Sequence, residues 1–67
     1  MSRLDLLLKG VEMYKSMISL NQAGHHESAR KTRVDLSILL DSHPEHGIDL
    51  GYIVQMYIDG CEMFSEA

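Results

Sequence analysis

Residues 49–65 read DLGYIVQMYIDGCEMFS and carry the clearest helical pattern in the chain. Apolar side chains recur there at intervals of three and four residues for about four turns, which is the spacing of one face of an α-helix. The Ile, Val and Tyr content of residues 52–58 also suits a strand, but the helical spacing persists for longer, and Asp49 is a favourable N-cap. We therefore predict a helix over about 50–65. Its main apolar stripe consists of Leu50, Ile53, Val54, Tyr57, Cys61 and Phe64, and a second strip consists of Tyr52, Met56 and Met63.

Two breaks separate this segment from two further helical patterns. Pro44 and Gly47 interrupt the chain on the N-terminal side of the last helix, and both residues stop helices. Gly24 forms the earlier break, and a glycine there suits the left-handed conformation that ends many helices. We predict helices over about 2–22 and 26–42.

These two helices have apolar residues on more than one side. The first helix has two stripes about 120° apart, and Gly10 lies on the second stripe, where a helical glycine costs about 1 kcal/mol relative to alanine. A close approach by another helix would explain Gly10, as would a bend or a later start of the helix. In the second helix, Val34 and Ile38 point away from the main stripe. The stripes are Leu7, Val11, Tyr14 and Ile18, then Leu6, Met13, Met17 and Leu20 in the first helix, and Ala29, Leu36, Leu39 and Leu40 in the second.

These patterns predict one all-α domain over residues 1–67, with three short helices as an up-down-up bundle or an extended helical hairpin. A chain of this size buries only about 60% of its unfolded surface, so its core is marginal. Disulfides, a metal or oligomerisation commonly stabilise such small domains, and a single cysteine excludes a disulfide within the chain. The surplus apolar surface therefore favours a homo-oligomer, most simply a two-fold dimer. The alternative is a compact monomer in which one helix is buried on all sides.

Charge is divided between the two halves of the chain. Residues 1–33 hold all six basic residues and three acids, for a net charge of +3, whereas residues 34–67 hold seven acids and no Lys or Arg, for −7. The sum is the net charge of −4 of the whole chain. The acidic second half argues against a nucleic-acid partner, because generic nucleic-acid binding needs a basic domain. Nucleic-acid binding through the basic start of the second helix is a third interpretation, beside the two given below.

The leading interpretation is a non-catalytic, self-associating module for protein–protein interaction or regulation. Its apolar face would be formed by the first and last helices, whose second stripes are rich in methionine, a flexible side chain suited to adaptable binding surfaces. A second protein is then a further partner beside the homo-oligomer. The predicted interface residues are Met13, Met17, Tyr52, Met56 and Met63.

The alternative interpretation is an oligomer that binds a small anion such as a nucleotide at the basic start of the second helix. A helix N-terminus favours anions, and two arginines three residues apart can grip one phosphate or carboxylate together. The competing expectation is that Asp59, Glu62 and Glu66 neutralise this basic cluster, either within the protein or across a dimer. The predicted anion-binding residues are His26, Arg30, Lys31 and Arg33.

We expect no metal, no other cofactor and no catalysis. The pairs His25–His26 and His43–His46 fall at opposite ends of the second helix, about 24 Å apart, so one chain cannot bring both to a zinc ion, which holds its ligands at about 2 Å. Antiparallel chains could do so, which leaves an interchain site open. Cys61 lies on the main apolar stripe and is interpreted as a small core residue rather than a nucleophile.

The sequence also predicts a cytoplasmic location without a membrane partner. No apolar run approaches the roughly 18 residues of a membrane span. No signal-peptide pattern opens the chain.

Overall fold

The computed structural model describes the backbone of residues 2–65 and the side chains of residues 2–60. It contains three α-helices, and the described residues form no strand. The predicted bounds are confirmed to within one residue at each end. The helices are α1 (Arg3–Gln22), α2 (His26–Asp41) and α3 (Leu50–Ser65), with a short 3₁₀ turn (Pro44–His46) between α2 and α3.

The helix ends follow from local side chains. Ser2 Oγ accepts a hydrogen bond from the backbone N–H of Asp5 at 3.1 Å and caps α1. Asp49 Oδ1 accepts one from the N–H of Tyr52 at 2.8 Å, which confirms the predicted N-cap of α3. Both contacts satisfy backbone donors that the first turn of a helix leaves without a partner.

Gly24 adopts a φ of +86°, as predicted. Its N–H donates to the carbonyl of Asn21 at 3.1 Å, and the N–H of His25 donates to that of Leu20 at 2.8 Å. This pair of hydrogen bonds is the Schellman motif that closes a helix. It ends α1 and turns the chain back so that α2 runs against it.

Leucine and isoleucine side chains from all three helices form the core. Gly10 lies where the helices meet: a Cβ atom there would lie 2.7 Å from Ile53 Cδ1 and 3.6 Å from Leu36 Cδ1. Of the three explanations for Gly10, the structure therefore selects the close approach of other helices. The buried core cluster consists of Leu6, Leu7, Leu36, Leu40, Ile48 and Ile53.

The three helices do not share contacts evenly. The pair α1–α2 packs most closely, α1–α3 less so, and α2–α3 least. Tyr14 meets Tyr57 edge-on at 5.2 Å, and Arg3 stacks on the ring of Tyr52 at 5.3 Å, so α3 runs in the same sense as α1. The Cα positions extend over 34 × 33 × 16 Å, a flat shape that leaves much of each helix facing outward. None of the described helices is both long and apolar enough to cross a membrane.

Candidate interaction surfaces

The side of α2 that faces away from the core carries two aliphatic side chains. Val34 is 51% exposed and Ile38 58%, whereas Leu36 is fully buried. Each of the two lies about 160° around the helix axis from Leu36. Exposed charged residues continue this line at intervals of four and three residues in both directions. We call the line the α2 outer face, and it consists of Glu27, Lys31, Val34, Ile38 and Asp41.

The two ends of α2 carry opposite charge. Residues 26–33 contain three basic residues and one acid, and residues 34–41 contain two acids and no basic residue. None of these charged groups forms an ion pair with another side chain of residues 2–60. Within one chain, Asp59 does not pair with the basic cluster, because α2 and α3 touch little and Asp59 Oδ1 instead accepts a hydrogen bond from Gln55 Nε2 at 3.0 Å. Pairing across a dimer stays a prediction. The side chains of Glu62 and Glu66 lie outside the described part.

A shallow groove runs along the exposed side of α3. Tyr52 and Met56, one helical turn apart and each 39% exposed, line it together with Gln55 and Asp59, and its volume is ≈ 240 Å³. Arg3 orients Tyr52: its guanidinium stacks on the ring, and one of its nitrogens donates to the phenol oxygen at 3.2 Å. The groove, which we call the α3 groove, therefore combines an aromatic and a thioether side chain with an amide and a carboxylate.

A second cavity, with a volume of ≈ 380 Å³, lies between the end of α1 and the start of α2. We call it the basic cavity. The imidazole of His26 and the guanidinium groups of Arg30 and Arg33 line it. Nδ1 of His26 lies 3.1 Å from Asn21 Oδ1, within hydrogen-bond distance, so Asn21 holds the imidazole at the end of α1. Lys31 is on the outer face of α2 instead. The remaining lining residues are Met17, Asn21 and Ala29.

Three potential metal ligands converge on the 3₁₀ turn. His43 Nδ1 and His46 Nε2 lie 3.5 and 3.7 Å from the same oxygen of Glu45. The pKa of the Glu45 carboxyl is lowered below its usual value, chiefly by a hydrogen bond from its own backbone N–H, against slight desolvation and with help from both histidines. The carboxylate is therefore ionised at neutral pH.

The five predicted interface residues are distributed over different parts of the structure. Tyr52 and Met56 form the α3 groove together, as their shared strip implies. Met17 lines the basic cavity, and Met13 packs against the core cluster. Met63 lies outside the described side chains, as does Cys61, whose predicted core position therefore stays a prediction.

No protein-family model, curated protein or solved structure matches this chain. The function is therefore argued from the surfaces of this molecule alone.

The α2 outer face is the surface that the sequence argument left without a role. Val34 and Ile38 lie off the main apolar stripe of α2, and this position is the sequence signal that identifies the outer face. The two aliphatic residues lie four positions apart, opposite the buried Leu36, and the residues that flank them on this face, Lys31 and Asp41, have unlike charges.

Proposed function

We propose that the protein is a non-catalytic, self-associating module for protein–protein interaction or regulation. The observation that carries the proposal is the α2 outer face, which exposes Val34 and Ile38 to water opposite the core. A helix that stays in contact with one neighbour has no need of such residues, whereas a second copy would cover them.

Charge gives this pairing a direction. When two copies of α2 align antiparallel about the level of Leu36, Val34 of each copy faces Ile38 of the other. Lys31 then faces Asp41, and this ion pair forms twice. A parallel alignment would place Lys31 against Lys31 and Asp41 against Asp41, which is repulsive, and it would also align the two helix dipoles unfavourably.

The spacing along the outer face supports the same geometry. Positions 27, 31, 34, 38 and 41 alternate between intervals of four and three residues, as do the residues in the seam of a two-helix coiled coil. Glu27 is level with position 45 of the second copy, which lies in the 3₁₀ turn beyond the end of α2 and is itself an acid, Glu45. The charge argument for this register therefore depends on Lys31 and Asp41. The result is an isologous dimer of the whole chain, with the α3 groove left free on each copy.

Sedimentation equilibrium over a wide concentration range tests the dimer. The wild-type chain is expected to associate to twice its mass of 7.6 kDa, and Ile38→Asp to remain monomeric. Ile58→Asp is the matched control, because it introduces the same charge at another exposed isoleucine, on α3. A monomeric wild type, or an Ile38→Asp variant that still dimerises, would contradict the proposed pairing.

A charge exchange tests the direction of the pairing. Lys31→Asp and Asp41→Lys should each weaken the dimer by placing like charges opposite each other. The double variant restores unlike charges and should recover most of the affinity. If the loss of dimer affinity in the double variant equals the sum of the losses in the two single variants, the antiparallel register is wrong.

The α3 groove is the proposed site for a second protein. Tyr52 and Met56 supply an aromatic anchor and an adaptable side chain, which are enriched where binding energy concentrates. Met56→Asp should abolish binding of that protein without changing the oligomeric mass, whereas Ile58→Asp, about 160° away around the helix, should preserve both. Unchanged binding by Met56→Asp would remove the groove from the proposal.

The basic cavity supports the second candidate function, binding of a small anion. Residues His26, Arg30 and Arg33 line one cavity. Asp59, the predicted neutralising acid whose side chain is described, forms no ion pair with them. A nucleotide at 100 times its dissociation constant should stabilise the fold by about 2.7 kcal/mol. Arg33→Ala should remove that thermal shift, and Lys31→Ala, outside the cavity, should not. A panel of nucleotides and inorganic phosphate without any shift would exclude this candidate.

A further inference from the structure

We propose that His43, Glu45 and His46 bind one divalent transition metal of the zinc class and that the metal fixes the connection between α2 and α3. Nitrogen and oxygen donor atoms of the three side chains lie within 4.8 Å of one another. The two histidine pairs are too far apart across α2 to share one ion, which is the basis of the expectation of no metal. The pair His43 and His46, with the carboxylate of Glu45 beside it, instead supplies three ligands within a single turn.

The backbone explains why the two imidazoles are on the same side. A 3₁₀ helix has three residues per turn, so the side chains of residues i and i+3 are aligned above each other. The N–H of His46 donates to the carbonyl of His43 at 3.3 Å, and that of Gly47 to Pro44 at 3.2 Å. Pro44 begins the turn and Gly47, with a φ of +64°, ends it. The rings of His43 and His46 consequently lie 6.1 Å apart, centre to centre, and are inclined by 35°.

The donor distances are close to those of a tetrahedral site. Zinc holds nitrogen and carboxylate oxygen at about 2.0–2.2 Å, so neighbouring donors in a tetrahedron are about 3.3 Å apart. The two distances from Glu45 to the imidazole nitrogens, 3.5 and 3.7 Å, are only slightly longer. One ion would bring all three donors to this spacing, including the two imidazole nitrogens, which lie within 4.8 Å of each other, and would leave the fourth position open to water.

Burial favours the same arrangement. The side chains of His43 and His46 are 25% and 19% exposed, so their surroundings restrict them, whereas Glu45 is 61% exposed and leaves a path for the ion. Two imidazoles and one carboxylate select a zinc-like ion over Mg²⁺ or Ca²⁺, which prefer oxygen ligands throughout.

The location gives the metal a structural role. The turn joins the end of α2 to the start of α3, the two helices that share the fewest contacts. Ile48, directly after the turn, is buried in the core cluster. A metal bound only by the folded turn would stabilise the native state and hold α3 in place relative to α2.

Titration of zinc into the untagged, chelator-treated 67-residue chain tests the site. Calorimetry is expected to give one ion per chain, and thermal unfolding to shift upward with zinc but not with Mg²⁺ or Ca²⁺. Loss of one ligand should weaken zinc binding by at least about 10- to 100-fold, because removing a residue that only hydrogen-bonds to a ligand already costs that much. His43→Gln, His46→Gln and Glu45→Gln should all show this loss, and the last, at an exposed position, is expected to leave the metal-free fold intact.

His25→Gln is the matched control, since it removes an exposed histidine at the other end of α2 and should bind zinc like the wild type. Fewer than one ion per chain, or wild-type affinity in Glu45→Gln and His46→Gln, would overturn the proposal. Zinc binding that occurs only with dimerisation and is lost in His26→Gln would overturn it too, in favour of a site between two chains. Sedimentation equilibrium of the chelator-treated protein tests the proposed dimer in the absence of metal, so the two proposals can fail separately.

Discussion

The two faces of α2 have similar side chains and opposite surroundings. Leu36 and Leu40 face α1 and are buried, whereas Val34 and Ile38, on the same four turns of helix, face water. Hydrophobicity alone does not distinguish them. The difference lies in their angular position relative to the neighbouring helices, so the inner face contributes to the stability of one chain and the outer face is available for association.

The largest expected effect comes from the inner face. Leu36→Ala should lower the free energy of unfolding by about 2–5 kcal/mol, because it leaves a cavity in a fully packed site. A chain of this length has a total stability on the order of 3–10 kcal/mol, so the variant is expected to be partly unfolded at room temperature. Urea denaturation of dilute protein, followed by circular dichroism, measures the change. Ile38→Ala is the comparison on the outer face, and equal losses for both would contradict the distinction between the faces.

Gly10 tests how tightly the inner face of α2 meets α1 and α3. Gly10→Ala gains about 1 kcal/mol of helix propensity, but its Cβ would lie 2.7 Å from Ile53 Cδ1, and overpacking costs about 1–3 kcal/mol. We expect a net loss of about 1 kcal/mol. Ile53→Val removes the Cδ1 atom, so Gly10→Ala should cost less, or become stabilising, in that background. A double-mutant cycle measures this coupling, and additive effects would mean that the two side chains do not compete for space.

The N-cap of α3 allows the local signal that starts the helix to be tested separately from the packing of its inner face. Asp49→Ala removes the hydrogen bond to the N–H of Tyr52 and should lower the free energy of unfolding by about 1 kcal/mol. Asp49→Asn retains an acceptor oxygen and should remain close to the wild type. If thermal unfolding shows the same stability for the alanine variant, packing alone determines where α3 begins.

The smallest effect is expected from the outer face. Ile38→Ser in dilute solution should change the free energy of unfolding by no more than about 0.5 kcal/mol, since Ile38 is 58% exposed and does not belong to the core cluster. At high concentration the wild type should gain apparent stability from the dimer and the variant should not. Thermal unfolding at several protein concentrations distinguishes the two, and a variant with the same concentration dependence as the wild type would show that the outer face does not mediate association.

Local signals in the sequence were sufficient to predict the helices. Gly24 and Asp49 define helix ends through their own backbone preference and side-chain oxygen, and both contacts form within five residues. The candidate surfaces required distances between residues far apart in the chain. Tyr52 and Met56 share a strip in the sequence and a groove in the structure, but Met17, predicted to join them, lies instead beside Arg30 and Arg33.

The sequence by itself determined the all-α class, the three helices and their ends, because periodicity, capping and glycine conformation act over one or two turns. The tertiary structure decided which apolar stripe is inside. Gly10 has its role only because Ile53 and Leu36 come to it from other helices, and Val34 and Ile38 form a surface only because α1 lies on the opposite side of α2. Packing between helices depends on crossing geometry and side-chain shape at long range, and no short pattern of residues encodes either.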